Sequence, residues 1–367
     1  MFSVLAFTVK PRESADTRYR ILQYREIGIK TQIRIDHRSL IGPRYFRWQS
    51  HNVRLIFRVT LYPWLLLIRL FQVLFLAPRY DAVWISREMA PLGPPLFERL
   101  LLLCCKRVIL DVDDALHISD KESSRLVPRL LRDCGKFSRL AASYTAVVCG
   151  NTYLAEFYRR HADNVQIIPT VVEPSRYETV QRNPSLRVRI GWIGTPLSAH
   201  HLDLLYSPLM ALSRERNIEF VIVGLNQPLR WNAPFIRYLK WELANELDYL
   251  AQFDIGVMPL QDSLFAQGKC AFKLIQYMAT AMAVVASPIG ANREVVHHGV
   301  NGFLAGTEGE WYQSLRTLID DPDLRNRMGE CGRDLVRRSY SVDSAWPRYS
   351  AILRNGLREE TACTVTS

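Results

Sequence analysis

The stretch Asp254–Leu304 reads DIGVMPLQDSLFAQGKCAFKLIQYMATAMAVVASPIGANREVVHHGVNGFL. Two apolar runs, Ile255–Met258 and Ala283–Ala286, have the length and composition of short buried strands. Turn residues close both, Pro259 in the first and Pro288 with Gly290 in the second. Between them, residues 271–280 have helical spacing. Strand, loop, helix and strand make a βαβ unit, which predicts a parallel sheet.

The predicted helix has two faces. Leu274, Ile275, Met278 and Ala279 recur at the spacing of a face packed on a sheet. Lys269, Lys273 and Gln276 fall three and four residues apart and can share the other face. Gly268 and Lys269 stand just ahead of the helix, where unpaired N–H groups and a lysine favour a phosphate-bearing ligand. An ordinary solvated polar stripe gives the same spacing.

On these residues the segment resembles the donor-site signature of the group 1 (family 4) glycosyltransferases of the GT-B fold. The matches are Lys273, Tyr277-Met-Ala279, Val284-Val-Ala-Ser287, Gly290 and Asn301-Gly-Phe-Leu304. The family usually carries glutamates where this chain has Gly268 and Gln276. Glutamine can still hydrogen-bond a ribose hydroxyl but carries no charge, and Gly268 offers no side chain to a sugar. The resemblance implies an α/β protein of two Rossmann-like lobes with a cleft between them. It implies sugar transfer from a nucleotide-sugar to a hydroxyl of a glycan or lipid-linked acceptor. Retention at the anomeric carbon, independence of metal and of any cofactor, and a place in cell-surface polysaccharide or glycolipid synthesis are further expectations. The departures at Gly268 and Gln276 leave a second reading, a nucleotide-sugar binder that has lost catalysis.

With 367 residues the chain has room for two cores. Its net charge of +11 favours anionic partners. Among these, phosphate ligands and acidic lipid surfaces rank above nucleic acid, because no zinc-finger spacing or RNA-binding signature is present. Seven cysteines without CxxC spacing predict buried thiols in a reducing cytoplasm rather than disulfides or zinc. The chain starts directly in a strand-like run, Phe2–Phe7, with no evident signal peptide.

After that strand come Pro11, Ser14 and Arg18-Tyr-Arg20, in the loop where an α/β sheet places ligands. The family often carries a Pro…Ser…Arg-Tyr-Arg pattern here, so Ser14, Arg18 and Arg20 are acceptor-side candidates, with solvated surface arginines as the alternative. From Arg18 to Arg79 there are twelve basic residues and two acidic ones, Glu26 and Asp36. Within this region the run Val53–Ala77 approaches the length of a membrane span, about 20 apolar residues, but Arg54, Arg58, Pro63 and Arg69 interrupt it. Two readings stand. Leu65, Ile68, Phe71 and Gln72 suit a helix packed in a domain. A basic helix with Phe57, Tyr62, Trp64 and Phe71 suits an anionic membrane surface, on the inner face.

Arg87-Glu88 follows the next predicted strand, and Asp111-Val-Asp-Asp-Ala115 the one after it. Carboxylates at a strand end can hold Mg²⁺, which opens a third reading, a Mg²⁺-dependent phosphatase acting through residues 111–114. The resemblance instead places Arg87, Asp113 and Asp114 toward the acceptor, with Asp113, Asp114 and Lys269 as catalytic candidates and no metal. Helix capping by these aspartates is the structural alternative. His117 lies close to Asp113 in sequence without a defined role.

A polar segment, Tyr177–Ser185, reads as a linker, dividing the chain into an acceptor-side lobe, 1–182, and a donor lobe, 183–340. The donor lobe opens with a strand ending at Gly194-Thr195, where glycine lets backbone approach a diphosphate. The Arg and Lys that relatives often place after this glycine are missing, so Lys269 and Lys273 become the source of phosphate countercharge. Gly224 ends the following strand. Gly290 and Asn292 open a short helix whose N–H groups can face the donor, and Glu294 suits its first turn. A last helix, 341–358, is expected to cross back to the first lobe, and 359–367 to form a disordered tail.

Overall fold

In the computed structural model the described residues are 1–43, 55–118, 132–182 and 185–355, with 55–60 described by backbone alone. They form two compact units, Met1–Ile168 with Trp346–Ser367, and Pro169–Ala345.

The first unit is built on a parallel six-stranded sheet. Its strands are β1 (Phe2–Thr8), β2 (Ile33–Ser39), β3 (Ala82–Ser86), β4 (Val108–Val112), β5 (Ala146–Cys149) and β6 (Val165–Ile167). The order is β2-β1-β3-β4-β5-β6. Every residue of β3, β4 and β5 is buried, as expected of parallel strands covered on both faces. The chain leaves β1 to one side for β2 and returns on the other for β3, so the connections diverge between β1 and β3.

The second unit repeats the principle with β7 (Val188–Ile193), β8 (Ile218–Val223), β9 (Ile236–Leu239), β10 (Ile255–Met258), β11 (Ala283–Ala286) and β12 (Gly302–Leu304). The order is β12-β11-β10-β7-β8-β9, again all parallel. Here the connections diverge between β7 and β10. The βαβ unit expected from residues 254–304 is present as β10, the helix Phe272–Ala279 and β11.

The segment read as a linker is not one. Tyr177 is fully buried and its hydroxyl accepts from Gln276 Nε2 at 3.1 Å. The Val172 N–H donates to the Tyr340 carbonyl, and its own carbonyl accepts from the Val342 N–H, both at 3.0 Å. Burial of an aromatic ring and pairing of backbone groups bind residues 169–182 to the second unit, so the division falls at Ile168 rather than at 182. The last helix runs Val342–Asn355 and belongs to the first unit from Trp346 onward. Residues 359–367 lie outside the described residues.

The apolar run after β2 forms the helix Leu55–Phe71, continued by turns over Gln72–Leu76 and Ala77–Arg79. Its inward stripe is not the one named in the packed-helix reading. Arg69, Val73 and Ala77 are buried, whereas Ile68 and Phe71 are exposed. Arg69 Nη2 donates to the Thr8 carbonyl at 2.8 Å, and the guanidinium lies 4.7 Å from the Phe7 ring. The Thr8 carbonyl also accepts from the Leu40 N–H at 2.9 Å, so it is the buried guanidinium that needs acceptors, and the Thr8 and Arg38 carbonyls supply them.

At the centre of the first unit lies Asp111, fully buried at the end of β4. Its carboxylate accepts from Arg20 Nε at 2.8 Å, Trp84 Nε1 at 3.2 Å and the Tyr349 hydroxyl at 2.7 Å, and pairs with Arg20 Nη2 at 2.7 Å. Arg20 Nη1 also donates to the Ile168 carbonyl at 2.9 Å. Removing the anion would strand a buried guanidinium. Asp111→Ala should therefore destabilise the first unit by about 3–5 kcal/mol, read as a lower denaturation midpoint. An unchanged midpoint would contradict the role given to this pair.

Three histidines make a second prediction. Burial, then the charges of Arg25, Arg69 and Arg38, lowers His37 to about 4. Burial, then His161, lowers His117 to about 4. His201 falls to about 3 through burial, then His200, Lys269 and Lys273. An unfolded chain protonates histidine near 6.5. Below that pH the unfolded state takes up protons that the folded state refuses, so this stability is complete above pH 6.5 and is lost as pH falls toward 4. The thermal midpoint should drop between pH 7 and pH 4.5, and replacing His37 by Asn should flatten part of that slope.

Candidate functional site

In an open parallel sheet ligands bind beyond the carboxyl ends of the strands, where the connections diverge. In the second unit that place lies beyond β7 and β10, and the helix Phe272–Ala279 is locked to it. The Tyr277 hydroxyl accepts from the Ile193 N–H at 3.0 Å. Gly256 on β10 permits this, because a Cβ there would lie 2.4 Å from the Tyr277 ring.

Lys273 sits one helical turn before Tyr277 on the same side of the helix. Its Nζ lies 4.7 Å from the centre of the Trp192 ring on β7. Burial, then the charge of Lys269, lowers Lys273 to about 7. Lys269 itself stands 4.9 Å from the centre of the Phe265 ring. Both lysines also act on His201, whose Nδ1 accepts from the Gln261 N–H at 3.1 Å. That bond leaves the proton of the neutral ring on Nε2, making His201 an uncharged donor. Sequence reasoning gives His201 no part; its closeness to the lysines arises from folding.

The loop before the short helix Asn292–Val295 is shaped by Gly290, which has φ +51°. A Cβ there would lie 2.4 Å from the Gln267 carbonyl oxygen, and the Gly290 N–H donates to Gln267 Oε1 at 3.0 Å. Gly224 has φ +98° at the end of β8, with the Gly194 carbonyl 2.1 Å from where a Cβ would stand. Gly194, Thr195 and Gly224 thus form one close-packed edge beyond β7 and β8. The Thr195 N–H donates to Ser198 Oγ at 3.4 Å.

Three donor-side expectations change. Gln276 is buried, its amide donating to Tyr177 and, at 3.5 Å, to Glu246 Oε1. It supports the fold where a ribose contact was expected, because a position three residues from Lys273 is turned toward the helix Pro174–Glu178. Asn292 is buried and its amide donates to the Ser287 carbonyl at 3.0 Å, holding the loop. Gly268 ends the turn Leu264–Gln267, its N–H donating to the Phe265 carbonyl.

In the first unit, polar side chains gather beyond β1, β3 and β4. Arg87, with φ +70°, donates from Nε to Asp113 Oδ1 at 2.5 Å and from Nη2 to Asp113 Oδ2 at 3.0 Å. Its Nη1 lies 3.3 Å from Asp16 and its Nη2 3.8 Å from Asp114. Ser14 donates to Asp16, and Lys10 stands 3.7 Å from it. Burial alone would raise Asp16, yet Arg87 and Lys10, with the Ser14 hydroxyl, bring it to about 2. Ser14, Arg87, Asp113 and Asp114 therefore meet around an aspartate and a lysine that no motif had marked. Asp114 also accepts from the Ala115 N–H at 3.2 Å.

Arg20 does not join them. It is buried against Asp111, and Arg18 donates to the Glu13 carbonyl at 3.0 Å. A phosphatase reading loses its strand-end nucleophile, because Arg20, Trp84 and Tyr349 already engage both Asp111 oxygens. His117 stacks on Phe157 with ring centres 3.7 Å apart. Among the described residues no three His, Cys, Asp or Glu side chains converge as a metal-binding group.

Comparison with known proteins follows the same lines. The family profile "Glycosyl transferases group 1" matches residues 187–321. No curated protein sequence matches the chain. Among solved structures it is similar to a glycosyltransferase from Rickettsia africae, with TM-score 0.70, 13% identity, and 98% of this chain and 99% of the other covered. It is similar to Anabaena HepE in complex with UDP and glucose, with TM-score 0.67, 13% identity and coverage of 97% and 100%. Sucrose-phosphate synthase from Thermosynechococcus elongatus gives TM-score 0.68, 10% identity and coverage of 96% and 98%. These likenesses establish the fold, two Rossmann-like units of the GT-B kind. The group 1 profile lies within the second unit, and the chain as a whole has the GT-B fold of these glycosyltransferase structures.

Proposed function

We propose that this chain is a group 1 glycosyltransferase that takes its sugar from a nucleoside-diphosphate sugar held by the second unit, beyond β7 and β10. The observation that carries the reading is Lys273, a cation set against Trp192 and beside a second cation, Lys269. Two like charges at the edge of an apolar wall are unfavourable until an anion arrives between them. A diphosphate is such an anion, and charge building on it as the glycosidic bond breaks would be stabilised by groups already in place. In this reading the countercharge comes from Lys269 and Lys273, and His201 Nε2–H adds a neutral donor. Structural neighbours that hold UDP make a UDP-sugar the first donor to try.

The acceptor reading rests on the first unit. Ser14, Arg87 and Asp113 stand at the carboxyl edge of the sheet near the β1/β3 divergence, and Arg87 is held by Asp113 and Asp16. We infer that Arg87 and its carboxylates orient a sugar hydroxyl of a glycan or lipid-linked acceptor. Family resemblance supports retention of anomeric configuration, a metal-independent reaction, and a role in cell-surface polysaccharide or glycolipid synthesis at the cytoplasmic face of a membrane.

A thermal-shift panel of UDP-, GDP-, ADP- and TDP-sugars, followed by assay of donor hydrolysis, tests the reading. A stabilising donor that is also turned over supports it; binding with no turnover toward water or any acceptor would leave a nucleotide-sugar binder. Lys273→Ala should weaken donor binding by about 1.5–3 kcal/mol, the worth of a hydrogen bond to a charged group. Unchanged affinity would remove Lys273 from the site.

Proton linkage gives a separate test. With Lys273 near 7 in the free protein, a bound diphosphate should raise it and draw in about half a proton at neutral pH. Calorimetry of UDP binding at pH 7.0 in buffers of different ionisation enthalpy should show this uptake, and Lys273→Met should abolish it.

A further inference from the structure

The helix that begins at Leu55 carries two stripes. Arg69, Val73 and Ala77 fall four residues apart and are buried in the first unit. On the opposite side Trp64, Leu67, Ile68, Phe71, Leu74 and Phe75 recur at helical spacing and are exposed, Trp64 and Phe71 each at 63%. Scattered exposed apolar residues need no explanation, but a continuous stripe including three aromatic rings does. By length and composition Leu61–Arg79 is able to cross a membrane. Its attachment argues otherwise, since Arg69 is bonded to the Thr8 carbonyl and Val73 and Ala77 pack in the same unit. A helix fastened to its unit from Arg69 to Ala77 can lie on a bilayer but cannot thread it.

The surrounding charges identify the surface. From residue 61 to 107 the exposed charged side chains are Arg79, Arg99, Lys106 and one carboxylate, Asp81, which accepts from the Ser3 N–H and hydroxyl. The other two carboxylates, Glu88 and Glu98, are buried and paired with Lys136 at 3.0 and 3.2 Å. The helix Leu96–Cys104 packs against Gln72–Leu76 and exposes Leu96, Arg99 and Leu103 along one stripe, Leu103 at 83%. A symmetric contact between two copies would set the same arginines near one another. An anionic lipid surface accepts the rings in its headgroup layer and attracts the arginines and lysine.

We propose that the outward stripe Trp64–Phe75 is a docking surface for an anionic phospholipid bilayer, on which the helix lies parallel to the membrane plane. This deepens, and rests on, the proposal of a membrane-borne acceptor, because it names the surface that brings the first unit to such a substrate.

The test is flotation of the full chain with vesicles of phosphatidylcholine alone and of phosphatidylcholine with phosphatidylglycerol, at low and high salt. The expected result is binding to the anionic vesicles, weakened by salt, and reduced tenfold or more by Leu67→Glu with Phe71→Glu. Both positions are solvent-facing, so the double variant should keep its thermal midpoint and its hydrolysis of donor in solution. No flotation with anionic vesicles at low salt overturns the proposal, as does flotation that the double variant leaves unchanged. A dimer in solution that the double variant dissociates would also overturn it, assigning the stripe to a second copy. Donor hydrolysis is measured without vesicles, so failure of the docking surface and failure of the transferase reading give different results.

Discussion

Parallel pairing obliges each connection to cross back over a face of its sheet, and that constraint arranges both units of this protein. All twelve strands obey it. Because each sheet is wound outward from an inner strand, β1 in one and β7 in the other, the loops beyond those strands part in opposite directions. The polar groups that the fold can spare from its core collect there. Lys269, Lys273 and His201 do so beyond β7 and β10; Ser14, Asp16, Arg87 and Asp113 do so beyond β1 and β3.

The buried and half-buried cations show how differently one chemical group can be treated. Arg20 has a carboxylate, Asp111, that is itself held by Trp84 and Tyr349. Lys136 is shared by Glu88 and Glu98. Arg69 is met by the carbonyls of Thr8 and Arg38 and by the Phe7 ring. Each of these serves the fold. Lys273 differs: an aromatic ring and another lysine are its neighbours, and no ion pair to a carboxylate is formed among the described residues. A cation left in that condition is costly to the folded state unless a ligand completes its surroundings. Such a site belongs to function more than to stability.

Some of this was legible in the residues. The alternation of apolar runs with helical spacing exposed the βαβ unit around Lys273, since period and turn chemistry are local properties. Arg87 and Asp113 were legible as a pair of strand-end groups. What escaped was partnership. Nothing in the order of residues distinguishes Arg20, which disappears into the core, from Arg18 two places earlier. Gln276 stands where the family places a sugar-nucleotide contact, yet Tyr177 and Glu246 claim its amide. Along the helix from Leu55 the hydrophobic pattern left Phe71 open to a core or to a membrane surface, and only the fold set Arg69 inward, where the Thr8 and Arg38 carbonyls accept from it.

The sequence by itself determined the fold class, the parallel sheets and the group 1 signature, and it marked the two lysines as candidates. Those follow from spacing along the chain, which folding preserves. Tertiary structure alone decided that Lys273 faces Trp192, that Asp16 completes the Arg87 cluster, that residues 169–182 belong with the second unit, and which stripe of the long helix meets solvent. Each of these depends on hydrogen-bond partners and burial contributed by residues far away in sequence, and such partners have no local signal to be read.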